Sequence, residues 1–242
     1  HAHDGTQAQL PDGGSRLSGT DPRGYAGMSE AHAREVIAHY YGMVSLIDDA
    51  VGRILAALER VGLARNTVVV FATDHGELLG DHGLWLKGPF LYEGLIRVPY
   101  VWRWPGALPA GRVVPAVTSY LDFAPTVLEL AWVAADPGMQ GSSVVRLLRG
   151  ETEAPPREHA VVEMREDVDG LQLRTLVTDR YKLTCYPGHE FGELFDLHAD
   201  PGESHNLWSD AAHGALREAL LRSLVGAMTD SARPLLPRVS YA

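Results

Sequence analysis

From Ser29 onward the apolar residues fall into step. Ile37, Tyr40, Val44, Ile47, Val51, Ile54, Leu58 and Val61 recur at intervals of three and four, which places them on one stripe of a helix. Ser29 is a suitable cap, Glu30 suits the positive end of the helix dipole, and Gly62 is a reasonable stop. The stripe predicts a buried face. The next run, 67-TVVVFAT-73, is continuously β-branched and aromatic, the mark of a strand covered on both faces. A second such run lies within 95-LIRVPYVWRWPG-106 and ends at Pro105-Gly106. In 119-SYLDFAPTVLELAW-132 the helical period returns, with Asp122 or a neighbour as cap and Pro125 tolerated in the first turn. Helix, strand, loop, strand, helix is the rhythm of an α/β domain with a mostly parallel sheet flanked by helices.

After about Pro155 the pattern shortens. The segments 159-HAVVEMRE-166, 171-LQLRTLVTD-179, 180-RYKLTCY-186 and 193-ELFDL-197 read as short strands separated by Gly170, Asp179-Arg180 and Pro187-Gly188. They predict a small antiparallel sheet, with an amphipathic helix over roughly 211–228 packed on it. Residues 1–27, rich in Gly, Asp, Ser, Arg and Pro, read as a linker or loop. The expected organisation is therefore 1–27 linker, 28–155 α/β region and 156–242 small sheet with a terminal helix.

Composition narrows the function classes. An apolar content of 45% with 21% charged residues is ordinary for a globular chain of 242 residues. A formal charge of −10 argues against a nucleic-acid partner, which needs a basic surface. No apolar run reaches the roughly 18 residues of a membrane span, so no membrane partner is expected. Cys185 is the one cysteine, which excludes an internal disulfide and a cysteine-rich metal site; its strand-like setting predicts an inert packed thiol. The start, HAHDGTQAQL, carries no signal-peptide pattern, and localisation is left open.

The chemistry gathers in 71-FATDHGELLGDHGLWLKGPFLYEG-94. Ligands of open α/β sheets sit beyond the C-terminal ends of strands, where Asp74 and His75 fall. A carboxylate and an imidazole are donors for a divalent cation, and Gly76 permits the tight turn that keeps both at the rim. An Asp-His step by itself is more readily read as a cap with an incidental histidine. Lys87, 13 positions after Asp74, complements an anionic substrate or is simply solvated. Asp81 and His82 either back the donors, with His82 lining a substrate pocket, or decorate the surface. Glu93 and Arg97, four apart, are taken as a structural pair.

The run DHGELLGDHGLWLKGPFLYEGLIRVPYVWRWPG (residues 74–106) resembles the C-terminal signature of the type I sulfatases, in the alkaline-phosphatase-like superfamily. The segments 40-YYGMVSLIDDAVGRIL-55, 118-TSYLDFAPTVLELA-131, 138-GMQGSSVVRLLRG-150 and 177-VTDRYKLTCYPGHEFGELFDLHADPGESHNLWSD-210 are similar to flanking family segments in the same order. The resemblance implies that Asp74 and His75 are metal ligands. It makes Lys87 the contact to the sulfate or phosphoryl oxygens, and His82 a second catalytic side chain. A histidine at position 75 stands where many members have asparagine. It occurs among phosphonate monoester hydrolases and some true sulfatases, which leaves Ca²⁺ or Mn²⁺ open. Asp48 and Asp49 diverge by about 100° on a helix and are read as structural.

The family's nucleophile is a formylglycine made from the cysteine or serine of a Cys/Ser-x-Pro-Ser-Arg motif. That motif does not occur in these residues; Cys185 is followed by Tyr-Pro-Gly. The expectation is the C-terminal part of a metal-dependent sulfuric ester hydrolase, inactive alone, with its nucleophile in a missing N-terminal half. Its substrate would be a sulfate or phosphonate ester, and a homo-oligomer is possible. The alternatives are a phosphonate monoester or phosphodiester hydrolase and a non-catalytic interaction fragment. An interior strand deprived of neighbours also predicts self-association.

Overall fold

The computed structural model describes residues 28–165 and 171–231, so the stretch 1–27 read as a linker lies outside the described residues. The chain divides into two compact units, His1–Gly106 and Ala107–Ala242.

In the first unit, helix α1 runs Glu30–Arg60. Its cap is the expected one: the Ser29 hydroxyl accepts from the His32 N–H at 3.2 Å. Gly62, at φ +73°, takes the left-handed turn that follows the last residues. The predicted burial of the stripe is corrected. No α1 residue is buried, and Ile47 and Ile54 are 52% and 58% exposed. Periodicity fixes which side chains share a face, but whether anything covers that face is decided by the rest of the fold.

Strand β1 (Val69–Ala72) and strand β2 (Tyr100–Arg103) form an antiparallel pair, with Val69 opposite Arg103 and Ala72 opposite Tyr100. The helix–strand rhythm predicts parallel neighbours, and for this pair that is corrected. The direction follows from the connection, in which the Gly76 N–H donates to the Leu95 carbonyl at 2.8 Å. That bond holds the chain at the end where β1 stops. The short helix α2 (Glu93–Ile96) then starts β2 from the same end, whereas a parallel neighbour requires a crossover to the other. Coverage on both faces is also corrected: Phe71 and Val101, opposite each other in the register, are 38% and 55% exposed.

In the second unit the capping residue of the predicted helix is Ser119. Its hydroxyl accepts from the Leu121 N–H, the Asp122 carboxylate accepts from the Ser119 N–H, and a 3₁₀ turn leads into α3 (Phe123–Leu130). Pro125 sits in the first turn. A short helix α4 (Val145–Arg149) buries Val145 and Leu147. Asp122 is fully enclosed, and its carboxylate also accepts from the Ser142 N–H at 2.8 Å and pairs with the Arg157 guanidinium.

The predicted sheet is present as strands β3 (His159–Arg165), β4 (Gln172–Thr178), β5 (Tyr181–Cys185) and β6 (Gly192–Asp196) in antiparallel order β3-β4-β5-β6. Leu176, Leu183 and Leu194 align across it on one face. Helix α5 (Gly214–Ser231) lays Leu220 and Leu224 onto them. Each fully buried leucine contributes about 1.5–3 kcal/mol, so this small core carries much of the unit's stability. On the alternate face the Thr175 and Thr184 hydroxyls share a hydrogen bond at 2.7 Å, and buried Lys182 pairs with buried Glu203. Among the described residues no helix is long and apolar enough to cross a membrane.

Candidate active site

Strand β1 delivers its C-terminal end to the loop 73–92, where the chain turns back through an unusual backbone. Leu79, His82 and Leu86 have φ of 48°, 55° and 63°, in the left-handed region, together with Gly80 and Gly83. Each such non-glycine residue costs about 1–2 kcal/mol, a strain typical of functional loops. Buried Leu78 anchors the loop, and the Gly80 N–H donates to the Leu84 carbonyl at 2.8 Å across a 3₁₀ turn, Asp81–Gly83. This winding returns Lys87 to the strand end.

Gly76 is fixed by sterics. A Cβ at that position would lie 1.9 Å from the Gly94 carbonyl oxygen. Only glycine lets the segment after His75 lie against the start of α2.

Asp74, His75 and Lys87 come together. The His75 ring Nδ1 lies 2.7 Å from the Gly76 carbonyl oxygen, which can only accept, so Nδ1 carries the proton. In the neutral ring the lone pair is then on Nε2. Lys87 Nζ sits 2.9 Å from that nitrogen, and Asp74 Oδ2 lies 3.6 Å from it. The Asp74 side chain is exposed, and the His75 N–H donates to its Oδ1 at 3.0 Å. That backbone hydrogen bond, with smaller help from the imidazole, holds the Asp74 carboxyl below its ordinary range.

Thr73 is a member of the site that sequence reasoning missed. Its hydroxyl stands 3.2 Å from the His75 carbonyl and 3.4 Å from Asp74 Oδ1, where it orients the turn. A hydroxyl directly before the Asp-His step was the available signal. His82 stacks on Tyr92, with ring centroids 3.8 Å apart and planes 14° from parallel. Glu93 and Arg97 form the expected pair within one helical turn, at 3.9 Å. Cys185 is half-buried among apolar neighbours, and burial pushes its thiol up, consistent with an inert packed group.

Asp74 and His75 fit a divalent cation as two of its ligands. Both are donor types that such cations take, and donors 3.6 Å apart can share an ion. Cation–donor distances of about 2.0–2.6 Å allow that span. They are a pair rather than a complete set: among the described residues no group of three or more His, Cys, Asp or Glu is placed to hold a metal.

Two family models match the chain. Sulfatase covers residues 4–133, and N-sulphoglucosamine sulphohydrolase, C-terminal, covers residues 80–230. The chain belongs to the sulfatase family. The N-acetylglucosamine-6-O-sulfatase of Bacteroides thetaiotaomicron is 31% identical over 206 residues, 79% of this chain and 35% of the relative. The solved structure of a 2-O GAG sulfatase superposes with a TM-score of 0.80 at 28% identity, covering 85% of this chain and 45% of that one. The phosphonate monoester hydrolase of Agrobacterium radiobacter gives a TM-score of 0.77 at 31% identity, covering 85% and 44%. The α/β fold, with its small antiparallel sheet, is thus the sulfatase fold. This sulfatase-family chain spans less than half the length of the curated relatives it matches, from 34% to 44% in six cases.

Proposed function

We propose that the Asp74–His75–Lys87 rim serves the hydrolysis of sulfuric esters. Asp74 and His75 would hold a divalent cation, Ca²⁺ or Mn²⁺, which when bound neutralises charge on the transferring group. The Lys87 ammonium contacts the non-bridging oxygens of the ester and opposes the charge that grows there. Gly76 and Thr73 fix the direction of both donors. His82, supported against Tyr92, lies on the same loop as a candidate proton donor to the leaving group. The nucleophile, by family likeness a formylglycine, would come from outside these 242 residues, which contain no Cys/Ser-x-Pro-Ser-Arg.

The observation that carries this reading is the three-way approach at His75 Nε2: Lys87 at 2.9 Å and Asp74 Oδ2 at 3.6 Å. An ammonium beside two donors of the kind metals take, at one strand end, is what supports the reading. A phosphonate monoester hydrolase is the second reading, favoured by the histidine at position 75 and by the likeness to the Agrobacterium enzyme. The test is turnover of an aryl sulfate beside an aryl phosphonate by the intact protein. Sulfate turnover is expected, with kcat/KM lowered about 10²–10³-fold by Asp74→Ala or Lys87→Met. Turnover of the phosphonate alone would sink the sulfatase reading. Robust hydrolysis by the 242 residues in isolation would sink the assignment of the nucleophile.

A further inference from the structure

The Nε2 lone pair of His75 has two claimants. Neutral imidazole offers a single acceptor once Nδ1–H is committed to the Gly76 carbonyl, 2.7 Å away. Lys87 Nζ, at 2.9 Å, uses that acceptor. A cation bound through the same nitrogen needs the same electron pair, and one lone pair cannot serve both. We infer that Lys87 and a divalent cation compete for His75 Nε2, so that cation binding releases the Lys87 ammonium to the anionic group of the substrate. The inference rests on the reading of Asp74 and His75 as cation ligands.

Three features make the exchange workable. The Lys87 side chain is exposed, so its ammonium can swing on its four-carbon stem without disturbing a core. Asp74 Oδ2, 3.6 Å from Nε2, stays beside the lone pair as the second donor. The ring itself does not need to turn, because the Gly76 carbonyl holds its other nitrogen. Cation and anion are then coupled: the first frees the donor that the second uses, and by linkage an anion held by Lys87 tightens the cation in turn. Lys87 becomes a device for ordering the site, with the cation entering before the ester.

The test is calorimetric titration of Mn²⁺ into the intact protein, with Lys87→Met and Asp74→Asn variants, in 0.1 M and 1 M NaCl. Losing a charge-assisted hydrogen bond that competes with the ion predicts about tenfold tighter Mn²⁺ binding by Lys87→Met. The gain should persist at 1 M salt, where the screening length falls to about 3 Å. Without added metal, the ¹⁵N resonance of His75 Nε2 should shift in Lys87→Met, because its hydrogen-bond donor is gone. Unchanged or weaker Mn²⁺ affinity, a gain that vanishes at high salt, or an unmoved resonance would each overturn the inference while leaving the cation site intact. If the unaltered protein shows no Mn²⁺ binding that Asp74→Asn removes, the reading of the ligands falls, and the competition with it.

Discussion

A single missing side chain sets the geometry of the rim. With the Gly94 carbonyl 1.9 Å from the place of a Cβ, Gly76→Ala must push the backbone after His75 away from α2. The variant is expected to lose about 1–3 kcal/mol in denaturant unfolding, the usual range for overpacking a tight site. An unchanged midpoint would mean that the two segments part without cost. The residue types at this site were legible in the sequence: an Asp-His step after an apolar run, then a lysine in a glycine-rich loop. The bonds that make them a site were not. The partner of His75 Nδ1 is a backbone carbonyl, which every residue possesses, and the return of Lys87 depends on left-handed turns at Leu79 and Leu86 that leucine does not favour.

At the scale of elements, the β5–β6 hairpin is clamped where Arg180 meets Asp196. The guanidinium donates through Nη2 at 2.7 Å and Nε at 3.0 Å, while the Ala199 and His198 N–H groups reach the same carboxylate. The Arg180 hydrogen bonds foremost pull the Asp196 carboxyl from its ordinary 3.8 to about 2. A carboxyl depressed in the folded state stabilises it fully above the unfolded value and loses that contribution as pH falls through the folded one. Melting temperature should therefore fall between pH 4 and pH 2 in part through this pair, with the window set by those two values. Thermal melts of Asp196→Asn should start lower at pH 5 and decline less steeply below pH 4; parallel curves would remove Asp196 from the account. The four strands and the helix that packs on them were readable because alternation and turn residues are local signals. The antiparallel sense of β1 and β2 was not, because it depends on a bond from Gly76 to Leu95, nineteen residues on (95 − 76).

For the whole molecule, the largest departure from the sequence reading is exposed apolar surface. Tyr41, Met43, Val44, Leu46, Ile47 and Ile54 all lie along α1 at 47% exposure or more. Exposed apolar side chains in such number on one helix are read as a candidate contact site. The isolated 242 residues are accordingly expected to self-associate in sedimentation velocity at micromolar concentration, and Leu46→Ser with Ile47→Ser should reduce that association. A monomer across the concentration range would argue that the helix face needs no cover. The sequence marked which side of α1 is apolar, yet burial is a property of what else is present, and that information is not contained in a period of three and four.

Asp122 carries one more implication. Its carboxylate grips a peptide N–H twenty residues ahead, at Ser142, and a guanidinium thirty-five ahead, at Arg157. The chain between those two grips is thus closed into a ring without a covalent link. Lengthening a ring already closed adds only about 0.6 kcal/mol for each doubling of its span. An insertion between Glu153 and Pro156 would therefore be absorbed cheaply, leaving α3 and the first strand of the sheet where they stand.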